Sequence, residues 1–406
     1  MKSVARARGL LTASRAGWRS QSRRRVVFIS GEPDWAGHNY RVLNIASALP
    51  ARSFETVVIR LDELWERLGE LHPVDVLWVW RSPYVETLPK AVDAARAAGA
   101  RIVCDVDDLV FKPELAHSDV IDGLRSQKLF PEEWSTYFAN VRRSLLEADH
   151  CTVPTDPLAR ELERLGLPTT VVPNGFGADF LRVAERARSR RAQTPSVVQV
   201  GYAAGTFTHQ RDLGVAAPAL AQVLREHTNV RFVTTDAVDI GELPELASCA
   251  GQVELRQRVP FDQLPLEYAR FHVNIAPLEV GNPFCEAKSA VKYIEAALVG
   301  VGTVASPTEP FTAAVRDGET GLLASGDDSW YEALSRLVVD ERLRDELAAN
   351  AYGDVLTRFG PESRSRVVTG LLERLLGEKP VRTIRPLKDR IFAALFREAK
   401  QPPPER

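Results

Sequence analysis

One pattern constrains this chain more than any other: short β-branched apolar runs alternate with stretches of helical spacing, and the whole alternation occurs twice. The first series has strand-like runs at 26–30, 56–60, 74–80, 101–106, 150–154 and 169–172, with helical spacing at 40–49, 88–98 and 131–148. The second has strands at 196–201, 230–234, 253–256, 272–277 and 302–305, with helices at 213–227, 261–270 and 287–299. Such alternation builds a parallel sheet covered by helices on both faces. Two series predict an α/β chain of two doubly wound, Rossmann-like domains facing across a cleft, with ligands beyond the carboxyl ends of the strands.

Length agrees, because 406 residues exceed what one hydrophobic core usually serves. The expected divisions are a basic extension at 1–24, a first domain at 25–180, a solvated arginine-rich linker at 181–195, a second domain at 196–360, and helices with a basic, proline-rich tail at 361–406. Thr155, ahead of Asp156 and Pro157, is expected to cap a short helix.

The formal net charge is -2, so no overall field draws the chain to nucleic acid. Residues 1–25 nevertheless hold Lys2, Arg6, Arg8, Arg15, Arg19, Arg23, Arg24 and Arg25 with no acid among them, and 388–400 has amphipathic spacing. Each end is open to two readings, a solvated or docked segment and a peripheral contact with a membrane surface. No apolar run is long enough to span a bilayer or to serve as a secretory signal. Cys104, Cys151, Cys249 and Cys285 lack metal-type spacing and read as reduced thiols, making the cytoplasm the default location.

Two segments carry chemistry in the second series. In Gly201-Tyr-Ala-Ala-Gly205-Thr206-Phe-Thr-His209-Gln-Arg211-Asp212, small residues follow a strand and open into a helix. Gly201, Ala203, Ala204 and Gly205 would let a ligand approach the backbone, free N–H groups would meet a diphosphate, and His209 and Arg211 would add cations or donors. A tight turn accounts for the same residues. In Glu286-Ala-Lys288-Ser-Ala-Val-Lys292-Tyr-Ile-Glu295, a helix over 287–299 places Lys288, Lys292 and Glu295 on one face. A solvated, salt-bridged face is the plainer reading of that stripe.

The order of these segments, with Asn-Ile-Ala-Pro-Leu between them and Val-Ala-Ser-Pro and Asp-Gly-Glu-Thr-Gly-Leu-Leu after them, resembles the group-1, GT4-like glycosyltransferases of the GT-B fold. The likeness runs from about residue 25 to 375 and is most specific between 200 and 325. It implies a retaining, hexosyltransferase-like enzyme that needs no metal or other cofactor. The second domain would hold a nucleotide-diphosphate sugar. The first would hold the acceptor, which is a glycan, a lipid-linked molecule or a small molecule. Glu295 matches the second glutamate of the family's paired-glutamate motif, which binds ribose hydroxyls. The first glutamate falls at Ala287, leaving Glu286 as the neighbouring substitute beside the donor sugar. Lys288 and Lys292 would meet the diphosphate, with Gly205, Thr206, His209 and Arg211 completing the donor side.

In the first series, Asp105, Asp107 and Asp108 stand where relatives carry a His-Asp pair after a strand. They would bind sugar hydroxyls, with Asp107 the candidate for proton transfer and Asp108 on the acceptor side; a metal site is the competing idea. Gly37, Tyr40 and Arg41 are expected in the cleft on the acceptor side, although Arg41 equally suits a salt-bridged helix position. Asn174 and Gly175 match an architectural turn near the linker. The loops 31–41 and 109–131 carry no motif that names an acceptor. Two other functions share this architecture: a sugar-nucleotide epimerase or phosphorylase, and a non-catalytic scaffold.

Overall fold

A computed structural model describes residues 23–191 and 197–378. The basic segment at 1–22, part of the expected linker at 192–196, and the tail from 379, including the amphipathic 388–400 stretch, lie outside the described residues.

The first sheet contains β1 (Arg24–Ser30), β2 (Phe54–Arg60), β3 (Val76–Trp80), β4 (Arg101–Asp105), β5 (His150–Val153) and β6 (Thr169–Val171), all parallel, in the order β2-β1-β3-β4-β5-β6. The second contains β7 (Val198–Tyr202), β8 (Val230–Thr235), β9 (Val253–Arg256), β10 (Val273–Ala276), β11 (Gly302–Ala305) and β12 (Leu322–Leu323), in the order β12-β11-β10-β7-β8-β9. Strand order reverses at β1 in one sheet and at β7 in the other. The crevices therefore open between β1 and β3 and between β7 and β10, where ligands of doubly wound sheets bind.

Both faces of each sheet are buried, which explains the near-continuous apolar strands. Along β1, Val27 and Ile29 enter one apolar cluster while Val26 and Phe28 enter another on the opposite face. The final helix, Pro361–Gly377, returns to the first domain, where Val368, Leu371, Leu372 and Leu375 pack with Phe28 and Trp78.

Three sequence expectations differ from what is found. The arginine-rich stretch begins as a helix, Ala178–Ser189, instead of an open linker; Phe180, Ala184 and Ala187 are buried with second-domain residues such as Tyr268 and Tyr293, while the arginines face outward. The expected helix at 213–227 is two, Gln210–Gly214 and Ala217–Glu226, because Pro218 has no N–H to continue the first and suits the start of the second. The helix expected at 287–299 starts only at Val291; a short helix, Pro283–Glu286, precedes it, capped by Asn282, and residues 287–290 form a break. Lys288 is therefore on that break and not on the helical face that carries Lys292 and Glu295.

Candidate functional site

At the carboxyl ends of β7 and β10, three side chains meet beneath the small-residue loop. The Lys288 Nζ donates to Asp212 Oδ2 at 2.9 Å, and His209 Nδ1 lies 3.0 Å from the same oxygen. Burial disfavours the Asp212 charge, but Lys288 and His209 outweigh it and hold its carboxyl well below the usual range. Burial also opposes the charge on Lys288; Asp212 prevails and keeps the ammonium protonated. The same burial pushes His209 down to about 4, against the pull of Asp212, so this ring is neutral at pH 7. A carboxylate only accepts, so Nδ1 carries the proton and Nε2 presents a lone pair. Nδ1 is thus committed to Asp212, and Nε2 is the ring nitrogen left for another partner.

Lys292 differs from Lys288. Its Nζ donates to the Ala203 carbonyl at 2.7 Å and stands 5.1 Å from the Tyr202 ring centroid. Burial lowers it to about 8, and Lys288 adds to the effect while Glu295 opposes it. Gly205 is exposed on the same loop, and Thr206 and Thr208 hydroxyls pair at 2.6 Å. Gly201 serves packing and not ligand approach, since a Cβ there would meet the Phe271 ring at 2.1 Å.

Glu295 is buried, and its carboxylate accepts hydrogen bonds from Tyr40 of the first domain and from Tyr268. Burial raises it above the ordinary carboxylate value despite those bonds and Lys292. Tyr40 therefore reaches across to Glu295 of the second domain, whereas its sequence position placed it on the acceptor side. Phe261 lies edge-on to its ring at 5.1 Å, and both line a small cavity with Phe176, Phe180 and Glu295. Glu286 is turned away from the lysines: its carboxylate accepts from the Gly281 amide at 2.8 Å and the Glu309 amide at 3.3 Å. Arg211 pairs with Glu279 at 2.5 Å and donates to the Ser118 and Asp119 carbonyls of the first domain, making it an interdomain clasp. Asp212, Glu279 and Cys285 could in principle ligate one metal ion, yet Lys288 and Arg211 already neutralise the two carboxylates.

On the first-domain side, Arg41 is fully buried and does not line the cleft. Its guanidinium binds Asp105 through two hydrogen bonds of 2.9 and 2.6 Å and also donates to Val172 O and Asn174 Oδ1. The salt-bridged reading holds, and Asp105 is withdrawn from sugar binding with it. Asn174 passes the network on, donating to Ser289 Oγ at 2.8 Å beside Lys288. Thr155 occupies a helix N-cap position, but its hydroxyl donates to the Ala287 carbonyl of the second domain at 3.0 Å instead of to its own helix.

Asp107 and Asp108 do reach the cleft. Asp107 accepts from Trp80 Nε1 at 3.3 Å and Arg81 at 3.4 Å; Asp108 accepts from Arg81 at 3.2 Å. Gly37 permits this packing, because a Cβ there would lie 2.6 Å from both Asp107 Oδ2 and the Trp80 ring. Burial pushes Asp108 up to about 6; Arg81 opposes, Asp107 adds, and Lys288 across the cleft opposes. Sequence reasoning missed Arg81, Glu32, Asp212 and Tyr268. Arg81 directly follows β3 at the sheet's reversal point, and Asp212 lies three residues after His209, so position relative to strand ends was the available signal.

Two parallel, doubly wound domains with opposed crevices and a lysine-bearing break after β10 define the GT-B architecture. Within it, residues 198–340, in the second domain, match the family model described as "Glycosyl transferases group 1". A D-inositol 3-phosphate glycosyltransferase of Actinosynnema mirum is 44% identical over 62 residues, which span 15% of this chain and 15% of that protein. Among solved structures, a sucrose-phosphate synthase from Thermosynechococcus elongatus superposes with a TM-score of 0.60 at 16% identity, covering 87% of this chain and 99% of its own. Anabaena HepE in complex with UDP and glucose gives 0.57 at 14% identity, covering 86% and 100%. At these identities the structural likeness concerns the fold. Among the described residues, no helix is long and apolar enough to cross a membrane.

Proposed function

We propose that this protein moves a sugar from a nucleotide-diphosphate donor to an acceptor hydroxyl, with retention at the transferred carbon and without a metal ion. The observation that supports it most is the convergence of Lys288 and Lys292 on the small-residue loop after β7. In this reading the bond from the anomeric carbon to the diphosphate oxygen breaks and its electron pair leaves with the diphosphate. Lys292, whose hydrogen bond goes only to a carbonyl, is the cation free to meet that growing charge. Lys288, fixed by Asp212, supplies a second, oriented charge. The His209 Nε2 lone pair accepts from a hydroxyl of the donor sugar. The acceptor hydroxyl enters from the Asp107 and Asp108 side, its oxygen bonds the anomeric carbon on the face the diphosphate leaves, and its proton passes to the departing phosphate oxygen, so the enzyme contributes position and charge. Glu295 takes the ribose hydroxyls once Tyr40 releases it, which links donor binding to separation of the domains.

UDP, seen with Anabaena HepE, is the first nucleotide to try. Melting temperature is measured with UDP, GDP, ADP and dTDP in the presence of a chelator, for the native protein and for Glu295→Ala and Lys292→Ala. A ligand selective for the folded state raises the melting temperature. One nucleotide should stabilise the native protein and neither variant; stabilisation that appears only when a divalent metal replaces the chelator would remove the metal-independent part. The turning away of Glu286 and the covering of Glu295 favour a second reading, a scaffold that binds nucleotide weakly or not at all. Absence of stabilisation by every nucleotide would select it.

A further inference from the structure

The loops after β1, β3 and β4 assemble a group of side chains centred on Arg81. Its guanidinium approaches Glu32 at 2.8 Å, Asp108 at 3.2 Å and Asp107 at 3.4 Å. Tyr137 donates to Glu32 from the helix Pro131–Leu145, and Trp80 donates to Asp107. Three carboxylates around one guanidinium leave two formal negative charges. Lys288 is the second-domain cation that Asp108 feels across the cleft, but its charge is matched by Asp212. Glu32 Oε2 and Arg81 Nε are buried against each other and the other Glu32 oxygen accepts from Tyr137, so the carboxylates left to face the cleft are those of Asp107 and Asp108. This acceptor wall therefore offers carboxylate oxygens to hydroxyl donors and repels anions.

We propose that the acceptor is an uncharged polyol, a sugar or cyclitol without a phosphate, read by Asp107 and Asp108, with Arg81, anchored by Glu32, as the positioning residue that holds both. Vicinal hydroxyls are paired donors that suit carboxylate oxygens. A phosphate brought to the same wall would meet like charge in a partly desolvated cleft, where repulsion at about 6 Å amounts to well over a tenfold loss in binding. The inference rests on the transferase reading and names its acceptor class.

Two measurements on the full chain test it. First, saturation-transfer NMR on the UDP-bound protein compares glucose with glucose 6-phosphate and myo-inositol with myo-inositol 1-phosphate. Second, UDP release from UDP-glucose is followed with the same four acceptors. At least one unphosphorylated member should receive saturation and stimulate release at least tenfold more than its phosphorylated partner. Asp108→Asn should narrow that ratio, while Arg81→Lys should restore part of the rate that Arg81→Met loses. Preference for a phosphorylated member, or contact with no member of the panel, overturns the proposal. Failure of every nucleotide to stabilise the protein strikes the transferase reading instead, so the two failures are separable.

Discussion

If Lys292 meets the diphosphate, nucleotide affinity must fall as this lysine loses its proton. In the free protein that happens near pH 8, because burial and the neighbouring Lys288 lower it from 10.5. A bound diphosphate supplies the missing countercharge and raises the value, so binding takes up a proton. The apparent dissociation constant then grows with the deprotonated fraction of the free form: hardly changed at pH 7, doubled at pH 8, and about tenfold weaker at pH 9, or about 1.4 kcal/mol. Stability of the unliganded protein runs the other way. Its folded value lies below the unfolded one, so the unfolded chain holds more protons between pH 8 and 10.5, and Lys292 adds stability as pH rises through that window. Calorimetric titration with the nucleotide selected above, in buffers of different ionisation enthalpy, measures the affinity and the proton uptake together. Lys292→Gln should bind weakly with a flat profile from pH 7 to 9. Equal affinity of the native protein at pH 7 and 9, or the same slope in the variant, would refute the assignment.

Three further outcomes follow from the geometry. Asp105→Ala leaves the fully buried Arg41 charge without its partner and should lower stability by about 3–5 kcal/mol in urea unfolding, with loss of the fold at the upper end. Lys288→Met should destabilise the protein by about 1–3 kcal/mol at pH 7, the discount reflecting its partial exposure. Native Asp212 titrates below its unfolded value, so its stabilisation is present above that value and lost as pH falls through the folded one; the gap between native and Lys288→Met should accordingly shrink below pH 4. Tyr40→Phe keeps the edge-on contact with Phe261 but removes a hydrogen bond to a carboxylate, worth about 1.5–3 kcal/mol. It should lower the melting temperature of the free protein while strengthening nucleotide binding, up to about tenfold; weaker binding in a titration would show that Tyr40 supports the donor site and does not compete for it.

The architecture was readable because strands buried on both faces leave long apolar runs, and two such series with one interruption admit few folds. Lys292 and Glu295 were readable as a pair because they share the helix Val291–Leu298. The surroundings of Lys288 were not, since a helical wheel assumes the helix continues, and the break at 287–290 is held by the opposite domain through Thr155 and Asn174. Arg41 shows the same limit from the other direction. Its place on a helix was correct, but which carboxylate it meets depends on β4 lying beneath that helix, a contact 64 residues away in the chain. Periodicity reports the face a residue occupies; it does not report the element that will cover that face.

This limit bears on the departure at position 287. Resemblance to the group-1 family places a glutamate there, and alanine stands in its place. In the folded chain Ala287 is 2% exposed and belongs to the apolar cluster of the first domain, together with Val153, Leu158 and Ala159. Its carbonyl accepts the Thr155 hydroxyl, and Phe284 packs against the same cluster. A carboxylate at this position would have to enter that cluster unpaired, or else hold the domains apart. Alanine is therefore the residue that lets the break carrying Lys288 dock onto the first domain. Glu286 cannot supply the missing group without giving up the Gly281 and Glu309 amides. In the transferase reading proposed above, orientation of the donor sugar then falls to other groups at the same strand ends, of which the His209 ring, held by Asp212, is one.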